Sequence, residues 1–231
     1  MMPGSFDVGA YSVTEAARLI GTPPAMLRRW VVGYGNYRKL PPLWTLQHDI
    51  EDTPFLGFRD LIEARMVSSL RQAGISLQAI RYCMQNAHEI IGDSHVFSSA
   101  RFRTDGKTIW LESTKGIHEP ELIDLKSRQH VFHSAVAPSF RDLEFDDEAA
   151  IRWWPLPGKT SIVIDPLRNF GQPSIAETGI PTARIAEAFE SEGRSLARIA
   201  KLYEVSREAA RDALKFEEQL AQQSQTVPKA A

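Results

Sequence analysis

The sequence predicts an α+β chain with a small helical reading unit at each end and a β-rich stretch between them. Three observations lead there: helix-turn-helix patterning over residues 12–33, a change from helical to alternating hydrophobicity between 96 and 164, and three short capped helical segments over 182–216. No nucleophile, base and electrostatic stabiliser group by spacing, so binding, and not enzymatic catalysis, is the expected activity.

The first helix follows from Ser12, with Glu15 three residues on as a capping box, and from Ala16, Leu19 and Ile20 on one face. Gly21 is suited to the left-handed turn that stops it. Thr22 as cap, with Pro23 or Pro24 in the first turn, then starts a second helix carrying Met26, Leu27 and Trp30 at helical spacing. In such a unit the second helix enters the major groove, which makes Arg28 and Arg29 candidate contacts, together with Thr22. The plainer alternative is a helical hairpin whose arginines form a solvated face.

Residues 40–46 and 55–58 read as two short strands around a polar loop holding Asp49, Glu51 and Asp52, as a wing requires. A strongly periodic helix follows over 60–73 and ends at Gly74, and Ser76 caps another that ends near Gly92. At this point the chain resembles the MerR family of winged helix-turn-helix regulators. The resemblance lies in Ser-Val-Thr-Glu-Ala-Ala-Arg-Leu-Ile-Gly from Ser12, Leu27-Arg28-Arg29-Trp30, and the run from Leu70 to Arg81. It covers about the first third of the chain. It implies that Arg28 and Arg29 touch the major groove and that Arg38 and Lys39, beside the wing, touch phosphates. The chain departs from that family's metal and drug sensors: its helix stops near Gly92 and it has a single cysteine, Cys83, expected as a small buried hydrophobe. No metal or other cofactor is expected.

From 96 to 164 alternation suggests strands. Residues 101–111 alternate on both sides of Asp105-Gly106, a hairpin signal, and 122–125, 130–132 and 162–164 read as further strands. His130 and His133 would point to opposite faces of a strand and so would not share a metal. Asp146, Asp147 and Glu148 are expected in a solvated turn before a short helix over 148–151, with Trp153-Trp154 as core or interdomain packing and not a nucleic-acid stacking platform.

The last third is expected to be trihelical. Thr182, Ser195 and Ser206 are its caps, and Ile185, Phe189, Leu196, Ile199, Leu202, Val205, Ala210 and Leu214 its core. This stretch resembles the small antitoxin-like domain of unknown function commonly encoded beside PIN-type toxins. The matching residues are Val163-Ile164-Asp165-Pro166, Gly171-Gln172-Pro173, Gly179-Ile180-Pro181 and the run from Ser195 to Tyr203. That family usually has Gly-Thr-Arg-Ile-Pro where this chain has Glu-Thr-Gly-Ile-Pro. With the MerR-like start, the combination resembles the larger VapB-type antitoxins, which implies a PIN-like ribonuclease toxin as partner and repression of the shared promoter.

Charge suggests two jobs. Up to Thr45 the chain has Arg18, Arg28, Arg29, Arg38 and Lys39 against Asp7 and Glu15, whereas nine acids face four bases between Glu112 and Glu148. The start suits phosphate, and the middle, with Asp146, Asp147 and Glu148, suits a basic toxin surface. Arg194, Arg198, Arg207 and Arg211 offer a second DNA or partner surface, nearly balanced by nearby acids. The net charge of −2, one cysteine, and no run near the roughly twenty apolar residues that span a bilayer fit a cytoplasmic regulator without membrane contact. The expected organisation is a DNA-binding unit over 1–92, a β-rich region over 93–160, a trihelical unit over 161–218 and a flexible tail over 219–231. A homodimer on double-stranded operator DNA follows from the small area of one reading unit. The competing function is a stand-alone regulator sensing a small molecule through the middle sheet.

Overall fold

Ser12 Oγ accepts from the Glu15 N–H at 3.2 Å while a Glu15 carboxylate oxygen accepts from the Ser12 N–H at 2.8 Å, so the expected capping box opens helix α1 (Val13–Ile20). Gly21 ends it in the left-handed region at φ 67°. Helix α2 (Pro24–Val32) starts on Pro24 with Pro23, not Thr22, at the cap position. Pro24 has no N–H to leave unsatisfied at the first helical position, and its fixed φ already suits the helix. These elements belong to a computed structural model that describes residues 9–33, 40–48, 53–118, 120, 122 and 124–226. No helix among the described residues is long and apolar enough to cross a membrane.

The expected wing is not what forms. Strand β1 (Tyr11–Ser12) pairs antiparallel with β2 (Phe55–Leu56), Tyr11 opposite Leu56, and residues 41–48 are bends and irregular backbone. Pro41 and Pro42 lack the N–H groups a ladder needs, so this segment is used differently. Leu43 and Trp44 are buried in the core, and the Leu43 N–H donates to the Trp30 carbonyl at 2.8 Å. The loop carrying Asp49, Glu51 and Asp52 lies outside the described residues.

Helix α3 (Phe58–Gln72) is the axis of the molecule. Its buried residues include Phe58, Leu61, Ile62, Ala64, Met66, Val67 and Leu70, which cover more than one face. A helix buried on more than one side is one surrounded by other elements. Gly74 at φ 90° turns the chain into α4 (Leu77–Ile91), capped by Ser76 and ended by Gly92 at φ 80°, as the sequence indicates.

Between 93 and 142 the described residues form helices joined by turns, where a β-rich region is expected. Residues 100–113 form helix α5 (Ala100–Ser113), not a hairpin about Asp105-Gly106. Phe102, Gly106, Ile109, Trp110 and Ser113 recur at helical spacing and are all buried, and Ser99 Oγ caps the Phe102 N–H. Gly106 faces the Phe102 and Phe132 rings, which a Cβ there would meet at the ordinary contact distances of 3.5 and 3.8 Å. Where a strand is expected at 130–132 the chain is helical: α6 (Leu125–Val131), capped by Asp124, runs on into a π-helical turn and a 3-10 turn ending at Phe140, while Ile123 of the strand expected at 122–125 lies outside the described residues. Strands β3 (Leu143–Phe145) and β4 (Ala150–Trp153) then form a hairpin, so residues 148–151 are turn and strand and not a short helix.

Strand β5 (Ile162–Val163) occurs where expected and pairs with β6 (Ser174–Ile175). Three helices follow: α7 (Thr182–Ser191), α8 (Leu196–Leu202) and α9 (Arg207–Thr226). Ser195 and Ser206 cap the last two, but Thr182 is the first residue of α7 and is buried. Ile185, Ile199, Val205 and Ala210 are buried as expected, whereas Leu202 is 57% exposed. α9 does not end near 218. Ala209, Ala213, Phe216 and Leu220 continue one buried face, so the helix persists through residues expected to be flexible.

One hydrophobic cluster joins residues from Tyr11 to Ile164, and a second joins Leu156 to Leu220, with Leu19 of α1 packed against both. α1 and α9 meet at this seam. The Tyr11 hydroxyl donates to the Gly171 carbonyl at 2.8 Å, and Arg18 pairs with Glu217 at 3.2 Å.

Candidate nucleic-acid interface

The opening helix pair presents one face to the core and one to solvent. Leu27, Trp30 and Val31 anchor α2, while Arg28 and Arg29 are exposed and make no hydrogen bond or ion pair with the described residues. α2 carries no acidic side chain. Two guanidinium groups therefore project from a fixed helix with their donors open, as phosphate or guanine recognition needs. Thr22 is not on this face. It is 5% exposed, its N–H donates to the Ala17 carbonyl, and its hydroxyl contacts the Met26 sulfur at 3.9 Å, so it stiffens the turn between α1 and α2. Arg38 and Lys39 lie outside the described residues.

In α3, two buried carboxylates hold the surrounding loops. Asp60, fully buried, accepts from Trp44 Nε1 at 2.9 Å, from the Gln47 N–H at 3.0 Å and from the Gly57 N–H at 2.7 Å, and lies 2.8 Å from His95 Nε2. Glu63, one turn on, accepts from the Phe97 and Ser98 N–H groups at 3.2 and 2.8 Å. Burial pushes the Glu63 carboxyl up to about 7, opposed less strongly by His95 and those N–H donors. Arg59 adds bonds to Asp93, to Ser98 Oγ and to the His95 carbonyl. The signal for this network was available as two acids at i and i+3, each flanked by apolar residues of the helix.

At the other end, α7, α8 and α9 form the expected trihelical unit. Its arginines divide into two kinds. Arg194 pairs with Glu190 at 2.9 Å and Arg198 with Glu192 at 3.4 Å, whereas Arg207 and Arg211 are exposed on the first turns of α9 without a partner among the described residues. Lys159 and Ser161 both bond Asp212, at 2.6 and 2.7 Å, tying the preceding linker to α9 and holding that carboxyl below its ordinary range despite desolvation.

Asp146, Asp147 and Glu148 are exposed in the β3–β4 turn. Asp146 shapes that turn by accepting from the Glu148 and Ala149 N–H groups at 2.8 and 2.7 Å, which lowers its pKa. Cys83 is buried and unpaired, its thiol pushed up to about 12 by desolvation, the environment of a packing residue and not of a reactive thiolate. His130 and His133 lie on α6 and the turn after it and not on a strand, and both are exposed. Trp153 is buried, bridges Ile164, and carries the Arg65 guanidinium over its ring at 4.8 Å, consistent with a packing role.

Comparison with known proteins divides the chain in the same way. Residues 9–84 match a family described as "Putative DNA-binding HTH domain", and residues 162–216 match one described as "Protein of unknown function (DUF433)". Over 226 residues the chain is 28% identical to a Mycobacterium tuberculosis protein named "Putative antitoxin VapB45", covering 90% of this chain and 94% of that one. A crystal structure of Rv2018 from Mycobacterium tuberculosis superposes with a TM-score of 0.70 at 25% identity, covering 90% of this chain and 99% of the other.

Proposed function

We propose that this chain is a VapB-type antitoxin that binds operator DNA through α2 and holds a toxin, of the PIN-like ribonuclease class, in an inactive complex. The observation that carries the DNA half is that Arg28 and Arg29 are exposed and unpaired among the described residues, on a helix whose opposite face is locked into the core by Leu27 and Trp30. The toxin half rests on similarity to the named antitoxin over nearly the full length of both chains. The order of α1, α2, α3, a Gly-Ile-Ser turn and α4 supports a MerR-like reading unit. The wing of that family is not part of this proposal.

The protein acts as a homodimer and represses its own promoter, because one reading helix buries too little surface for a specific site. Arg207 and Arg211, open at the start of α9, supply a second basic contact. Arg38 and Lys39 are assigned to phosphates by resemblance alone. A sensor working through a middle sheet is not favoured, since residues 100–140 are largely helical.

Two experiments test the reading. Fluorescence anisotropy with a labelled duplex of the chain's own promoter should give binding that Arg28→Ala and Arg29→Ala each weaken by about 1–3 kcal/mol, with a shallower salt dependence for a phosphate contact. Equal binding of wild type and variants removes α2 as the reading helix. Co-expression with the adjacent gene should yield a complex and relieve that gene's toxicity; no complex and no toxicity sinks the antitoxin reading.

A further inference from the structure

A cleft of about 830 Å³ opens between the α3–α4 layer and the start of the C-terminal unit. Its floor includes buried Phe58 and half-buried Ile91 and Ile151, its rim holds Asp146, Asp147 and Glu148, and Leu167 stands at its edge 70% exposed. A leucine this open beside an apolar floor is the kind of anchor that binding partners cover.

The segment presenting Leu167 is rigid. The Asp165 carboxylate, itself 3% exposed, accepts from the Leu167 N–H at 2.9 Å and from Arg152 Nε at 2.8 Å, and pairs with Arg168 at 3.6 Å. Beyond it, Asn169 Nδ2 donates to Ser174 Oγ and to the Gly179 carbonyl, and the Ala10 N–H donates to the Phe170 carbonyl. Asn169 and Phe170 are held in the left-handed region at φ 48° and 56°, a conformation a bulky aromatic keeps when its surroundings over-determine it.

Charge selects the occupant. Among the described residues, five carboxylates and three guanidinium groups line the cleft. Arg59 is matched by Asp93, and Arg152 by Asp165 and by Glu144, leaving Asp146, Asp147 and Glu148 facing Arg101 as the remaining cation of the lining. DNA is repelled by such a rim, whereas a basic protein segment is attracted and oriented by it.

We propose that this cleft is the toxin-binding surface: it takes a segment of the toxin that sets an apolar side chain against Leu167, Ile151 and Ile91 and lysine or arginine side chains against Asp147 and Glu148. The proposal rests on the antitoxin reading above and adds the place and chemistry of the contact. A ribonuclease that grips RNA through basic side chains would lose that grip while they face this rim.

The test uses the full chain and the product of the adjacent gene, co-expressed and captured by a tag on this chain. Leu167→Glu and the double change Asp147→Lys with Glu148→Lys alter exposed side chains, whereas Asp146, which shapes the turn, is left in place. Both variants should bind the toxin at least tenfold more weakly, measured by titration of the purified toxin, with melting temperature and operator affinity unchanged. If wild type captures the toxin and both variants bind it equally well, the cleft is not the contact although the antitoxin reading stands. If wild type captures no toxin, that reading falls and this one with it. If Leu167→Glu instead halves the mass in light scattering while toxin affinity per chain is kept, the cleft joins two copies of this chain and the proposal is overturned.

Discussion

Glu63 illustrates how a single side chain ties solution behaviour to architecture. Its folded carboxyl titrates near 7 against an ordinary 4.5, so the folded state holds the proton more tightly than the unfolded chain. The stability this confers is present below about pH 4.5 and is lost as pH rises through about 7. Melting temperature should therefore fall between pH 5 and pH 8, and Glu63→Gln should flatten that fall. A wild-type curve flat across the window would show that the site is wetter than the geometry implies. Arg28 and Arg29 were legible as surface cations because neighbouring apolar residues at helical spacing point the other way. Thr22 was not legible as a buried residue: a hydroxyl before two prolines looks like a cap until the packing of Met26 and Ala17 closes over it. Asp60 was hidden for a similar reason, since its partners Trp44 and His95 are 16 and 35 residues away.

At the scale of elements, α5 shows two periodicities competing in one stretch. Residues 101–111 alternate about Asp105-Gly106, yet Phe102, Gly106, Ile109, Trp110 and Ser113 also mark one side of a helix. The helix wins because Ser99 caps it and because α4, Phe97, Phe132 and Phe140 offer a surface that side can pack on. Gly106→Ala separates the two outcomes. In a helix, with the new methyl in ordinary contact with Phe102, it should raise stability by about 0.5–1 kcal/mol in denaturant titration. In an Asp-Gly turn it would lower it. The same competition lengthened α9: a Gln-rich end has weak intrinsic order, but Phe216 and Leu220 continue the buried side, and α1 covers it.

Across the whole molecule, the seam between α1 and α9 couples the proposed DNA-reading helix pair to the C-terminal unit. Gly171 sits there at φ 83°, and a Cβ added to it would collide with the Tyr11 ring and hydroxyl. Gly171→Ala should lower the melting temperature by several degrees. Tyr11→Phe, which removes one buried hydrogen bond, should cost about 1 kcal/mol in denaturant titration. If both leave stability unchanged, the two cores fold independently and the seam is not a coupling. Caps at Ser12, Ser76, Ser195 and Ser206, and stops at Gly21 and Gly92, could be read directly from the chain because each depends on partners within about five residues. The pairing of Tyr11 with Leu56, the bond from Tyr11 to Gly171, the enclosure of Asp60 and Glu63, and the cleft beside Leu167 join residues that are mostly tens of positions apart. Such contacts depend on which surfaces remain uncovered once the helices have packed, and that is decided in three dimensions.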